Sequence, residues 1–306
     1  MSISDPRPDR LALVGPTASG KSDVALAVAR QVDGVEIVSV DSMQVYRGMD
    51  IGTAKPSTAE QAEVRHHCLD LVEPTEEFTV GDFKPAFADA IAAIGRRGGR
   101  ALLVGGTGLY HRVVIDDFDL PGEFPEVRRE IDTEPDTAAL HARLMQLDPA
   151  AAAKMESGNR RRVVRALEVT IGADRPFSSF GPGVDSYPPT EVVQIGLRRP
   201  RPVTTERIER RVHAMLEAGL VAEVEGLLTC GFSRSAGQAL GYKEIVEYLR
   251  GRISQDEAIA MIVTRTRQFA VRQERWFRRD PRVRWVDVEH DPVAEVAPIV
   301  TEALTA

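Results

Sequence analysis

Gly15-Pro16-Thr17-Ala18-Ser19-Gly20-Lys21-Ser22 is the stretch on which the reading of this chain turns. It fits the pattern G-x-x-x-x-G-K-[ST], and its flanks suit that pattern. The apolar run Leu11-Ala12-Leu13-Val14 before it reads as a buried strand, and Asp23 to Arg30 after it reads as the opening of a helix. Strand, glycine turn and helix together aim several backbone N–H groups and a helix N-terminus at one anion. Lys21 adds a point charge for phosphates, and the Ser22 hydroxyl is placed to ligate magnesium. The stretch therefore reads as a polyphosphate site.

Outward from it, Glu36-Ile37-Val38-Ser39-Val40 reads as a second strand with Asp41 at its carboxyl end, the edge at which open parallel sheets bind ligands. Asp41 to Pro56 has no clean period and reads as a long loop with one helical turn. His66 to Val72 looks like a third strand. Thr79, with Asp82 in the capping-box position, opens a helix to Gly95, ended by Gly98-Gly99. Arg100 to Val104 is another buried strand, and Gly105-Gly106-Thr107-Gly108 after it implies close approach of backbone to a ligand. Helical crossovers between these strands predict an α/β fold with a mainly parallel, P-loop-type sheet flanked by helices.

Near Leu120 the character changes. Thr137 to Leu147 is an amphipathic helix stopped by Pro149, and Asn159 caps another that runs to Gly172. Residues 121–190 are expected to be an all-helical insertion into a core made of 1–120 and 191–306. Val192 to Leu197 returns as a strand. Helices follow over Thr205 to Leu228, Ala239 to Leu249, and from Ser254, with Glu257 at the capping-box offset, to about Arg279. Val283 to Val288 reads as a last strand and Pro292 to Leu304 as a closing helix.

The 306 residues are 43% hydrophobic and 28% charged, the balance of a soluble globular protein. No apolar run approaches the roughly 18 residues that span a bilayer, so no membrane is expected. Cys68 and Cys230 form no C-x-x-C pair and point to no zinc site or disulfide framework; a reducing cytoplasm is the expected compartment. Adjacent His66 and His67 suit a structural role better than a shared metal.

A net charge of −7 argues against a uniformly basic nucleic-acid binder but leaves room for local basic faces. Arg265, Arg267, Arg272, Arg275, Arg278, Arg279, Arg282 and Arg284 crowd the long helix and its exit, opposed only by Glu274 and Asp280. Arg160, Arg161, Arg162 and Arg165, with Arg128 and Arg129 upstream, form a second group. Singly, each arginine reads as part of a solvated helix face; together they point to phosphate partners such as an RNA backbone. Asp41 is open to three readings: a strand terminator, a magnesium ligand or a general base. Thr107 reads equally as a simple turn hydroxyl. A small-molecule kinase, a prenyltransferase of free nucleotides and a nucleotide-gated RNA adaptor are the competing functions.

The glycine loop, Asp41-Ser42 through Tyr46 to Gly48-Met49-Asp50-Ile51-Gly52-Thr53-Ala54-Lys55-Pro56, His66-His67, Gly105-Gly106-Thr107, Arg165-Ala166-Leu167-Glu168-Val169, Gln238-Ala239-Leu240-Gly241-Tyr242, Arg272-Gln273 and Trp276-Phe277-Arg278 fall in order. In these blocks the chain resembles the bacterial tRNA dimethylallyltransferases over nearly its whole length. The resemblance implies magnesium-assisted transfer of a dimethylallyl group from dimethylallyl diphosphate to N6 of the adenine 3′-adjacent to the anticodon of a tRNA stem-loop. It implies Asp41 as the base and Thr107 beside the reacting centre. Gly15, Pro16, Thr17, Ala18, Ser19, Gly20, Lys21, Ser22 and Arg211 would hold the diphosphate, with Ser22 on the Mg2+. Asp41, Ser42, Met43, Gln44, Thr107, Arg128 and Arg162 would meet the tRNA. A monomer is expected. Two stretches depart from the family pattern: Asn159-Arg160-Arg161-Arg162 replaces the common Asp-Pro-Gln-Arg, and Val271 and Arg275 replace a common Lys and Thr.

Overall fold

Strand β1 (Arg10–Val14) sends Leu11 and Leu13 to one face and Ala12 and Val14 to the other, and all four are fully buried. A strand buried on both sides belongs to a parallel sheet covered by helices. The computed structural model describes residues 10–181 and 183–305. From β1 the chain turns into α1 (Lys21–Gln31), β2 (Val35–Ser39), α2 (Thr58–Glu63), β3 (His66–His67), α3 (Val80–Arg96), β4 (Arg100–Gly105) and α4 (Gly108–Ile115). Next come α5 (Pro125–Asp132), α6 (Thr137–Leu147), α7 (Pro149–Ala152) and α8 (Arg160–Gly172). The chain then continues through β5 (Val193–Arg198), α9 (Arg201–Glu217), α10 (Leu220–Leu228), α11 (Tyr242–Leu249), α12 (Gln255–Phe277), β6 (Val283–Asp287) and α13 (Pro292–Thr305).

Among the described residues the strands form one six-stranded sheet in the order β3-β2-β4-β1-β5-β6, with every pair parallel. One face is covered by α1 and α13 around Leu13, Val24, Ile37, Val296 and Val300. The other is covered by α3, α4 and the helices α9 to α12, through residues such as Phe83, Tyr110, Ile208 and Ile262. Because β2, β4 and β1 are neighbours, the glycine turn, Asp41 and the Gly105-Gly106-Thr107 turn gather at one carboxyl edge.

The chain forms two compact units, Met1–Asp116 with Pro189–Ala306, and Asp117–Pro188. The second is helical, with α5, α6 and α8 packed around Ile131, Leu140, Leu144, Val163 and Leu167. Capping boxes start α3 at Thr79 and Asp82 and α12 at Ser254 and Glu257. Asn159 accepts the Arg162 N–H to start α8, a cap of the kind that contributes about 0.5–2 kcal/mol.

Local backbone geometry overrides several expectations. His66 to Val72 is not one strand: only His66–His67 pairs with β2, because Cys68 (φ 60°) and Asp70 (φ 51°) turn left-handed. Asp41 to Pro56 contains turns and an isolated bridge from Tyr46 to Val72, but no helical turn. The helix expected over Thr205 to Leu228 begins at Arg201 and breaks at Gly219 (φ 101°) into α9 and α10. The helix expected over Ala239 to Leu249 starts late, because Gly241 (φ 93°) delays α11 to Tyr242. Pro149 ends α6 and also opens α7, where the Asp148 carboxylate accepts the Ala151 N–H.

Candidate active site

The glycine turn holds its shape through close packing. A Cβ on Gly15 (φ 139°) would lie 2.5 Å from the Leu197 carbonyl oxygen, so only glycine fits there. Gly20 (φ 100°) precedes α1 with no side-chain cap, leaving the first N–H groups of that helix open to an anion. Lys21 folds back over the turn and donates to the carbonyls of Gly15 (2.9 Å) and Pro16 (2.7 Å). From α9, Arg207 Nε donates to the Ala18 carbonyl (2.9 Å), and Arg211 Nη2 donates to Thr17 Oγ1 (2.7 Å). Arg211 Nε is buried and has no partner.

Across the sheet edge, Asp41 Oδ1 accepts the Met43 N–H at 2.8 Å. Thr107 stands at the start of α4 but does not cap it; its hydroxyl accepts the Ser42 N–H (3.2 Å) and lies 3.4 Å from Ser42 Oγ. Gln44 accepts from Ser39 Oγ (2.7 Å) and donates to the Thr53 and Ala54 carbonyls, which pins the loop after Asp41. That loop is held further along by Glu223, which accepts the N–H groups of Asp50, Ile51 and Gly52 and the Tyr242 hydroxyl.

Lys21, Ser22, Asp41, Gly106 and Arg211 line one cavity of about 540 Å³, with Phe269 adding apolar wall. Burial holds the Lys21 ammonium down at about 7; Arg211 adds to that, while Asp41 opposes it. Burial pushes the Asp41 carboxyl above its usual range, against the pull of the Met43 and Gln44 N–H groups, Lys21 and Arg211. Arg211 is lowered by burial and by Arg207, with Asp41 opposing. Two cationic side chains, Lys21 and Arg211, thus act on one carboxylate, and a buried guanidinium N–H is left over. Such an unsatisfied group costs about 1–3 kcal/mol or more, which an anionic ligand would recover. Among the described residues no cluster of His, Cys, Asp and Glu could hold a metal by itself.

With this geometry in place, the family model described as IPP transferase matches residues 44–280, and one described as isopentenyl transferase matches 9–78. The tRNA dimethylallyltransferase of Streptomyces avermitilis is 46% identical over 94% of this chain and 92% of its own length. The chain belongs to the IPP transferase family. That of Carboxydothermus hydrogenoformans is 45% identical over 95% of this chain and 96% of its own. The crystal structure of the Bacillus halodurans tRNA isopentenylpyrophosphate transferase superposes with a TM-score of 0.70, at 38% identity and 97% coverage of both chains. A eukaryotic dimethylallyltransferase acting on tRNA gives 0.79, at 25% identity, over 95% of this chain and 77% of its own.

Within this family frame the arginines divide by environment. In the helical unit, Arg128 pairs with Glu168 and Asp132, Arg129 with Glu126, and Arg165 with Glu168 and the Pro121 and Gly122 carbonyls. Arg160 is spent on the Glu134 and Pro135 carbonyls. Arg161 and Arg162 are exposed and carry no ion pair among the described residues. On the long helix Arg265 pairs with buried Glu244, and past its end Arg282 joins Asp116 and Asp280. Arg267, Arg272 and Arg275, with Arg201, line a second cavity of about 610 Å³. His66 and His67 hold structural places, His66 Nδ1 on the Val64 carbonyl and His67 Nε2 on Glu36. Sequence reasoning missed Arg207 and gave Gln273 no role. Both reach the cradle from more than 180 residues away, so no local spacing marks them.

Proposed function

We propose that this protein transfers a dimethylallyl group from dimethylallyl diphosphate to N6 of the adenine 3′-adjacent to the anticodon in tRNA, releasing diphosphate. The observation that carries the reading is the convergence of the glycine cradle, Arg211 with its unpartnered Nε, and Asp41 on one cavity. In the reaction, the N6 lone pair forms a bond to C1 of the allylic group. The C1–O bond breaks and its electrons leave on the diphosphate. The proton lost from N6 goes to Asp41.

Each residue type answers a need of that step. Charge grows on the departing diphosphate, where Lys21, Arg211 and the open N–H groups of the loop from Gly15 to Ser22 stabilise it. An exocyclic amine is a weak nucleophile until its proton is accepted, which calls for a carboxylate at this edge. The raised proton affinity of Asp41 suits that task. Ser42, Met43, Gln44 and Thr107 surround Asp41 and are assigned to the flipped-out nucleotide, since a stacked base cannot reach a pocket.

Ser22 places a hydroxyl on the same cavity, an oxygen donor that fits Mg2+ together with substrate phosphates. The ion would neutralise diphosphate charge there. Arg128 and Arg162 in the helical unit, and the exposed arginines of α12, are assigned to tRNA phosphates. The chain is read as a cytoplasmic monomer; among the described residues no helix is long and apolar enough to cross a membrane.

Incubation with tRNA and either labelled dimethylallyl diphosphate or γ-labelled ATP tests the reading. Label passing from the prenyl group to tRNA supports it. Phosphate transfer from ATP would replace it with a kinase.

A further inference from the structure

We propose that Gln273 is a positioning residue for the transfer, its one side-chain amide setting the spacing between the diphosphate loop and the turn that carries Thr107. The inference rests on the prenyl-transfer reading above. Gln273 lies on α12 and is 6% exposed. Its Oε1 accepts the Thr17 N–H at 2.8 Å, and its Nε2 donates to the Gly106 carbonyl at 2.9 Å. Thr17 offers that site only a donor and Gly106 only an acceptor, so the amide has one satisfactory orientation.

These bonds belong to a longer line. Arg211 holds the Thr17 hydroxyl, Gln273 joins Thr17 to Gly106, Thr107 follows Gly106 and takes the Ser42 N–H, and Asp41 precedes Ser42. The leaving-group side and the proton-accepting side are thus tied through one side chain. The glycines of the turn are cut to receive α12. A Cβ on Gly106 would lie 2.1 Å from Gln273 Nε2, and one on Gly108 would lie 2.2 Å from the Trp276 ring. Reacting atoms must be held within a fraction of an ångström, and a misplacement of about 1 Å can cost on the order of 100-fold in rate.

A further consequence concerns the cradle. Because the Thr17 N–H is engaged by Gln273, it is not one of the donors offered to the diphosphate; Gln273 borders the cavity, but its Oε1 is taken by Thr17 and its Nε2 donates to Gly106. A defect in Gln273 should therefore fall on kcat and spare diphosphate affinity.

Three variants test this: Gln273→Met, which keeps the length without the hydrogen bonds; Gln273→Glu, which keeps the acceptor for Thr17 but loses the donor to Gly106; and Gly106→Ala, which pushes the amide away. Melting temperature establishes that each is folded, and should Gln273→Met fail there, Gly106→Ala carries the same measurements. Expected is a 10- to 100-fold fall in kcat, with the Kd for inorganic diphosphate held within about threefold in Gln273→Met and Gly106→Ala. The new carboxylate of Gln273→Glu borders the anion site and repels diphosphate by itself, so that variant is read on kcat alone. The Gln273→Glu, Gly106→Ala double variant should lose little more than the worse single one, because both act on one contact. Wild-type kcat in the folded variants, diphosphate affinity falling in step with kcat in Gln273→Met or Gly106→Ala, or multiplicative kcat losses in the double variant would overturn the proposal. Absence of prenyl transfer in the unsubstituted protein would instead refute the function itself.

Discussion

Arg211 and Arg162 carry the same guanidinium into opposite surroundings. Arg211 is buried, bonded to Thr17, lowered in proton affinity by its burial, and left with one unpartnered N–H beside a cavity. Arg162 stands exposed beside Arg161 on a helix whose remaining arginines, Arg160 and Arg165, are tied to carbonyls and carboxylates. The first is built for one anion at one place. The second can meet a phosphate over a range of positions, through an interaction that salt weakens. Substitutions in the cradle should therefore act on chemistry by orders of magnitude, and those in the helical unit on RNA affinity in graded steps.

The largest effect is expected at Asp41. As general base it should contribute about 10²- to 10⁴-fold, or roughly 3 to 5 kcal/mol of barrier. Asp41→Asn keeps the shape and can still accept the Met43 N–H, but takes no proton. It should bind both substrates and fail in single-turnover chemistry at every magnesium concentration. Full rescue by added magnesium would make the carboxylate a metal ligand instead.

Lys21→Ala comes next. Losing one donor to a developing oxyanion costs on the order of 10²- to 10³-fold in rate. Since Lys21 faces the turn and not the protein surface, tRNA retention on filters should stay near that of the unsubstituted protein. Loss of tRNA affinity in step with turnover would break the contrast drawn above.

What the sequence makes legible follows how local each signal is. The loop from Gly15 to Ser22 needs only its own residues and two flanks to be read, and so do the capping boxes at Thr79 and Ser254. The helix Thr137–Leu147 matches its apolar period residue for residue. His66 to Val72 misleads because apolar composition says nothing about Cys68 and Asp70 adopting positive φ. Gly219 is tolerable inside a helix, so its φ of 101° breaks α9 from α10 without warning. Gln273 and Arg207 act on the cradle only once the sheet has folded. The glycines at 106 and 108 announced a close approach, but the approaching groups include Gln273 and Trp276 of α12. Arginine clusters read as uniform charge, and only packing reveals that Arg160 is a staple and Arg161 is not.

That division of the arginines sharpens the third prediction. Charge reversal of Arg161 and Arg162 together should weaken tRNA binding and reduce the slope of log affinity against log salt by about 1.5, at roughly 0.7 to 0.9 per phosphate contact. Arg160→Ala should instead lower the melting temperature, because it frees the carbonyls of Glu134 and Pro135, and leave the slope nearly unchanged. An unchanged slope in the double reversal would make those residues a solvated face.

The smallest effect is a proton. With Lys21 held at about 7, roughly one-tenth of free sites carry the ammonium at pH 8. A bound diphosphate favours the charged form, so its binding draws a proton onto Lys21 above pH 7. At pH 6 the ammonium is already mostly present and little is taken up. Asp41, whose proton affinity is raised by burial, and the diphosphate itself can exchange protons too, so the Lys21→Met variant serves as the reference. Binding heats measured in buffers of different ionisation enthalpy count the protons directly. The difference between the two proteins should approach one proton at pH 8 and shrink toward zero at pH 6. Equal uptake at pH 8 would mean that Lys21 enters the reaction already charged, and that its neighbours depress it far less than its burial beside Arg211 implies.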